Sequence, residues 1–290
     1  MTILSRNFKD AILISRGLKI RFLWIDALCI IQDSDEDWAQ ESGQMAKYYR
    51  NSSIMISALA SPGAHHGILF PRLADRQAVQ LSPSQGEVFV RPIMDDVVSI
   101  TRSSAHSSFS DTRPQLENMP LFQRAWTLQE RVLSRRIVYY SEQQMIWQCK
   151  TCLVSEDGQY SSNEMTRMEG KLVDLLDVDS QSKVATPVRL KWHVLVTEFT
   201  RRRLTHDADK LPALSGMARL TGDKYLAGLW QRRIRDELLW KTRHNGNSWE
   251  KDISRIRNGS PMWSWASIRG RSGTISLFTT EYLATTTLTF

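Results

Sequence analysis

Phe22–Gln32 reads FLWIDALCIIQ, about the length of a strand, rich in β-branched and aromatic residues, with apolar side chains on both sides of the alternation. That pattern predicts a strand buried on both faces, as in a parallel sheet covered by helices. Asp26 interrupts it. A carboxylate here stands at the carboxyl end of the strand, where open α/β sheets place their ligand crevice, or is buried and paired. The third reading is an Asp that caps the following turn through its own backbone.

Working outward, Phe8, Ala11, Ile12 and Ile14 mark one side of a short helix over Asn7 to Arg16, and Gly17 suits its stop. Beyond the central stretch, Ser34 with Asp37 resembles a capping box, and Asp35, Glu36 and Asp37 suit the positive end of a helix dipole. Trp38, Met45, Tyr48 and Tyr49 then share one side of a helix running to about Arg50. Ser53 to Leu59, SIMISAL, reads as the next strand. Strand, helix and strand in this order predict a right-handed crossover between parallel strands. The expected fold class is therefore α/β: a mostly parallel sheet flanked by helices, with β-hairpins and a mainly helical C-terminal region.

Val79 to Leu81 and Glu87 to Arg91 flank a Ser-Pro-Ser-Gln-Gly turn and predict a hairpin; Ser99 to Asn118 reads as a surface loop. Pro120 to Arg135, PLFQRAWTLQERVLSR, predicts a helix whose side Trp126, Leu128, Val132 and Leu133 is buried, and Glu130 lies within it. Arg136 to Tyr140 and Gln144 to Gln148 alternate as a second hairpin. The polar stretch from Ser155 to Glu164 marks a boundary, giving domains of 1–154 and 155–290. Past it, Lys183 to Leu204, Leu211 to Ala218 and Tyr225 to Trp240 have helical periodicity, and the Thr-rich Thr274 to Phe290 is β-prone.

At 290 residues and 41% hydrophobic, the chain can bury a sizeable core. With no apolar run of about 18 residues and no charged-then-apolar leader, we expect neither a membrane span nor a secretory signal, and a cytoplasmic protein. The three cysteines, Cys29, Cys149 and Cys152, fit reduced thiols better than a disulfide framework. Cys149 and Cys152 form a lone Cys-x-x-Cys without the second ligand pair a structural zinc needs, and His65-His66 lacks acidic or thiol partners, so no metal site is expected. The net charge of +7 is spread along the chain, and the Arg201 to Arg203 and Arg232 to Arg235 clusters read as solvated helix faces, so nucleic acid is not an expected partner.

LWIDALCIIQDSDEDW at Leu23 to Trp38 and RAWTLQERVLS at Arg124 to Ser134 closely resemble two signature blocks of the fungal heterokaryon incompatibility (HET) domain. RNFKDAI at Arg6 to Ile12, GILFPR at Gly67 to Arg72, DKLPALSGMA with YLAGLW over Asp209 to Trp230, and PMWSWAS at Pro261 to Ser267 resemble further family segments. Departures are Ala125 where Gly usually precedes the Trp, Ala27 where Ser is frequent, and the absence of the Ser-Tyr-x-Trp-Gly block that would precede Arg6. That last absence would make this an N-terminally truncated HET domain, short of one central strand.

The resemblance implies an allorecognition protein that triggers programmed cell death, with self-association or other incompatibility proteins as partners. HET domains are regarded as similar to TIR domains, some of which cleave NAD, and Trp126 to Glu130 resembles the TIR helix with the catalytic Glu. On that comparison Glu130 is the catalytic candidate, Asp26, Arg124 and Trp126 are the cofactor-binding candidates, and NAD is a substrate rather than a resident cofactor. The chemistry is coherent, because nicotinamide leaves neutral and needs no proton, so a single carboxylate can serve where glycosidases normally need two. Read from the residues alone, Glu130 is a surface carboxylate paired with Arg131 or Arg135 rather than a catalytic group, and only the TIR-like resemblance brings the two readings level. The alternatives are a non-enzymatic signalling or self-assembly module, or an inactive truncated paralogue.

Overall fold

The computed structural model describes residues 4–71, 79–82, 88–90, 119–156, 161–162, 185–244, 253–256, 259–270 and 273–277. The expected loop at Ser99 to Asn118 and most of the expected boundary at Ser155 to Glu164 lie outside these residues. The chain divides into two compact units that interleave in sequence: Met1–Trp24, Ser53–Phe122 and Arg135–Arg167 form the first, and Ile25–Ser52, Gln123–Ser134 and Met168–Phe290 the second.

The first unit opens with α1 (Arg6–Gly17), which buries Asp10, Ala11 and Ile14. Asp10 Oδ2 accepts the N–H groups of Ile68 and Leu69 at 2.7 and 3.2 Å, and Asn7 Oδ1 accepts that of Gly67 at 2.7 Å. Two separated pieces of the sequence, RNFKDAI and GILFPR, are thereby clamped together. Gly67 is required there, with a φ of +92° and a would-be Cβ 2.9 Å from both Arg6 Nε and Asp10 Oδ2.

The strands of this unit are β1 (Met55–Ser57), β2 (Val79–Ser82), β3 (Val88–Val90), β4 (Arg136–Tyr140), β5 (Met145–Cys149), β6 (Leu153–Ser155) and β7 (Ser161–Ser162). β2 and β3 form the expected antiparallel hairpin. The main sheet has the order β1-β4-β5-β6-β7. Only β1 and β4 run parallel, with Met55 opposite Ile137; the three other pairs are antiparallel. The described sheet is thus mixed rather than mostly parallel. The reason is local: short turns join β4, β5 and β6, and a short turn can only reverse the chain. Ser141 makes the first turn, its Oγ donating to Gln144 O at 2.7 Å.

The second unit begins where the central strand was expected, and that expectation is corrected. Residues 25–32 form no strand; a single helical turn, α2 (Asp26–Cys29), takes their place. Their backbone groups are satisfied locally: Ala27 N–H donates to Asp26 Oδ1 at 2.8 Å, Ile31 N–H to Asp37 Oδ2 at 2.7 Å, and the Gln32 amide to Ile30 O at 2.8 Å. With those groups occupied no ladder forms, and Leu28 and Ile31 are exposed while Ile30 is buried. The predicted strand-helix-strand crossover therefore lacks its first strand. Of the three readings of Asp26, the observed one is the cap on its own turn.

α3 (Asp35–Asn51) starts as expected, with Ser34 Oγ accepting Asp37 N–H at 3.1 Å. A 3-10 turn at Pro120–Gln123 leads to α4 (Trp126–Leu133). α5 (Ala185–Thr200) and α6 (Pro212–Arg219) match the expected C-terminal helices. The third does not form. Tyr225–Leu226 (β8) and Leu229–Trp230 (β9) make a tight hairpin, and only a 3-10 turn at Gln231–Arg233 and the short Ile234–Glu237 (α7) are helical. Ala227 and Gly228 have φ of +46° and +98°, the left-handed turn such a hairpin requires. A Cβ on Gly228 would lie 2.6 Å from Trp265 Nε1, which donates to Gly228 O at 3.1 Å. Strands β10 (Trp240–His244), β11 (Ile253–Arg255), β12 (Ile268–Gly270) and β13 (Gly273–Leu277) pair as β10 with β13 and β11 with β12, so this region is more mixed than its periodicity predicts.

One apolar core holds the second unit: Ala46 from α3, Leu128, Val132 and Leu133 from α4, Leu195 and Phe199 from α5, Leu214 and Met217 from α6, and Trp265. Among the described residues no helix is long and apolar enough to cross a membrane.

Candidate functional site

α4 is held at its start by the chain just beyond α5. Arg203 N–H donates to Gln123 O at 2.6 Å, and Ala125 N–H donates to Arg203 O at 2.9 Å. Arg202 reaches the same turn, its Nη1 donating to Thr127 Oγ1 at 3.0 Å while that hydroxyl donates to Arg124 O at 2.7 Å. Trp126 Nε1 donates to Asp209 Oδ2 at 3.0 Å, and its ring meets Trp38 edge-on at 6.4 Å. With Leu128, Val132 and Leu133 turned into the core, helical geometry leaves Glu130 on another side, toward Tyr49 of α3 and Asp26 of α2.

Glu130 is the perturbed group. Burial pushes its carboxyl from the ordinary 4.5 up to about 7, and the negative charge of Asp26 adds to the rise. Arg124, Arg202 and a hydrogen bond from Tyr49 oppose it without cancelling it. Tyr49 is also held well above the usual phenol range, first by burial and then by the charges of Glu130 and Asp26, so its hydroxyl stays protonated and donates to Glu130. Near neutral pH this carboxyl changes protonation state between two guanidinium groups and one exposed carboxylate. Such a group can stabilise a developing cation, while the arginines can hold an anion.

The structure therefore brings together three of the four expected site residues, Glu130, Asp26 and Arg124. Trp126 shares the helix, but its indole is tied to Asp209 and Trp38. The positive charges of Arg124 and Arg202 act on Glu130. Sequence reasoning missed Tyr49 and Arg202. Tyr49 has the spacing of a core residue of α3, and Arg202 sits in a basic run that reads as a solvated face; only their convergence in space marks them. Among the described residues no group of three or more His, Cys, Asp or Glu side chains is placed to hold a metal ion.

One unit gathers two carboxylates and two arginines and the other is built on a mixed sheet, which defines an α/β protein with a charged candidate site. Residues 1–130 match the family model described as heterokaryon incompatibility protein (HET), so this stretch of the chain is similar to a HET domain. The match covers the signature stretch at Leu23 to Trp38 and ends within the one at Arg124 to Ser134, at Glu130. No curated protein and no solved structure matches the chain.

Proposed function

We propose that the protein is a cytoplasmic effector of fungal allorecognition that triggers cell death by cleaving the nicotinamide–ribose bond of NAD, with Glu130 as the catalytic carboxylate. The observation that carries this reading is the carboxyl of Glu130, raised to about 7 by burial and by Asp26, between Arg124 and Arg202. The Trp126-x-x-x-Glu130 resemblance to the TIR helix supports it. In this reading the ionised Glu130 stabilises the oxocarbenium-like ribose or orients its hydroxyls, Asp26 binds ribose hydroxyls, and the two arginines hold the diphosphate. Nicotinamide leaves neutral, so no general acid is called for. Because the ionised form acts, turnover rises as pH rises through about 7. Residues 155–290 act as the regulatory part, since α5 and α6 pack on α4 and so set where Glu130 stands.

The test is nicotinamide release by the purified full chain incubated with NAD. Glu130→Gln should lower the rate about 10²–10³-fold, the usual cost of removing one electrostatic stabiliser. Release that is unchanged in Glu130→Gln overturns the assignment.

A second reading, a non-enzymatic module that assembles with itself or with other incompatibility proteins, is favoured by the exposure of Leu28 and Ile31, apolar residues within the signature stretch. Killing of cells by expressed protein, undiminished in Glu130→Gln and lost in Leu28→Asp with Ile31→Asp, would select it over the enzyme.

A further inference from the structure

Cys149 ends β5 and Cys152 stands just before β6, with only Lys150 and Thr151 between them. The register continues through the turn, since Gln148 pairs with Leu153 and Cys149 N–H donates to Cys152 O at 2.9 Å. Directly opposite residues of an antiparallel pair project to the same face of the sheet, and a hydrogen-bonded pair has its Cα atoms about 5.5 Å apart, inside the range a disulfide spans. Both thiols are free and half-buried, and their sulfurs are 3.5 Å apart. Thr151 Oγ1 lies 3.2 Å from Cys149 Sγ.

We propose that Cys149 and Cys152 form a reversible dithiol that exchanges with small-molecule disulfides of the glutathione class and closes a disulfide across the β5–β6 turn. The Cys149 thiolate attacks one sulfur of glutathione disulfide; that S–S bond breaks, a glutathione thiolate leaves, and a mixed disulfide forms at Cys149. The Cys152 thiol then gives its proton to solvent and attacks the Cys149 sulfur, the mixed disulfide breaks, and the second glutathione thiolate leaves. The protein dithiol loses two electrons and the glutathione disulfide gains them.

The order of attack follows from the surroundings of each thiol. Burial pushes Cys149 up, but hydrogen bonds from the Thr151 hydroxyl, from the N–H groups of Thr151 and Cys152 and from the Cys152 thiol outweigh it and bring Cys149 down to about 6. Cys152 is raised, first by its hydrogen bond to Cys149. Cys149 is therefore the nucleophile and Cys152 the resolving thiol.

The experiment incubates the reduced full chain with glutathione disulfide at about pH 6, quenches with acid and maps peptides by mass. The wild-type chain should yield a Cys149–Cys152 peptide lighter by two hydrogen atoms. In Cys152→Ser the mixed disulfide should persist at Cys149, formed about 10-fold faster than on free N-acetylcysteine, because a larger thiolate fraction outweighs the lower intrinsic nucleophilicity. The disulfide should open again on addition of reduced dithiothreitol. Failure of the wild-type chain to form the intramolecular disulfide, or a Cys149 no faster than N-acetylcysteine in Cys152→Ser, overturns the proposal.

Discussion

Two glutamates of the second unit have left bulk water, and they have left it in opposite ways. Glu237 on α7 is fully buried, and its Oε1 lies 2.9 Å from Nε2 of buried His193 on α5. The pair bridges two helices through that one contact, while Glu237 Oε2 and His193 Nδ1 are buried with no hydrogen-bond partner among the described residues. Glu130 on α4 is surrounded instead by a like charge from Asp26, two arginines and a phenol, and burial still dominates its carboxyl. Burial alone therefore does not distinguish a site. What distinguishes Glu130 is that its neighbours leave it electrostatically unsettled near neutral pH.

The largest test of that contrast is Glu130→Gln. NAD cleavage should fall about 10²–10³-fold, a loss of transition-state stabilisation alone. Stability should move the other way. A folded-state carboxyl raised from 4.5 to about 7 makes the folded chain bind more protons than the unfolded chain in that window, so wild-type stability falls as pH rises through it. Glu130→Gln should flatten that part of the curve, as followed by denaturant unfolding from pH 5 to pH 8; a slope that persists in the variant refutes the raised carboxyl.

Glu237→Ala should behave as the mirror image. It leaves buried His193 without this hydrogen bond and should cost about 2–3 kcal/mol in urea unfolding, with turnover per folded molecule unchanged. A selective loss of turnover would mean the two glutamates are not separable in the way their partners indicate.

Gly216→Ala sharpens the contrast through packing. The new methyl would lie 2.8 Å from Ala46 Cβ and 2.9 Å from Gln129 Oε1, wedging α6 away from α3 and α4. Overpacking of this kind should cost about 1–2 kcal/mol. Because Gln129 adjoins Glu130, turnover should drop with it, whereas Glu237→Ala leaves turnover intact. Equal turnover in both variants would uncouple α6 from the site.

The smallest effect belongs to Asp26→Asn. Removing its charge relieves part of the pressure on Glu130, so the ascending limb of the rate–pH profile should move to lower pH. A limb that stays in place would show that Asp26 does not act on Glu130.

Much of the local structure was legible because short-range chemistry decides it. Ser34 caps α3 as its spacing with Asp37 predicts, and the β4–β5 hairpin turns between Tyr140 and Gln144 as its alternation predicts. Glu130 could be placed on a half-buried helix from Leu128, Val132 and Leu133 alone. Where the sequence misled, one side chain or one backbone angle outvoted periodicity. FLWIDALCIIQ looks like a buried strand, but Asp26, Asp37 and Gln32 take up its backbone groups and leave Phe22 83% exposed. Tyr225 to Trp240 looks helical, but Ala227 and Gly228 enter the left-handed region and Trp265 closes over the turn. Tyr49 and Arg202 carried no local signal, since their role comes only from residues far away in the chain.

The most direct measurement is the titration of Glu130 itself, followed by ¹³C NMR on protein labelled at glutamate carboxyl carbons, with the signal assigned by its loss in Glu130→Gln. The account predicts a midpoint near 7 that moves to lower pH in Asp26→Asn. A midpoint in the ordinary glutamate range, unmoved by Asp26→Asn, would contradict it.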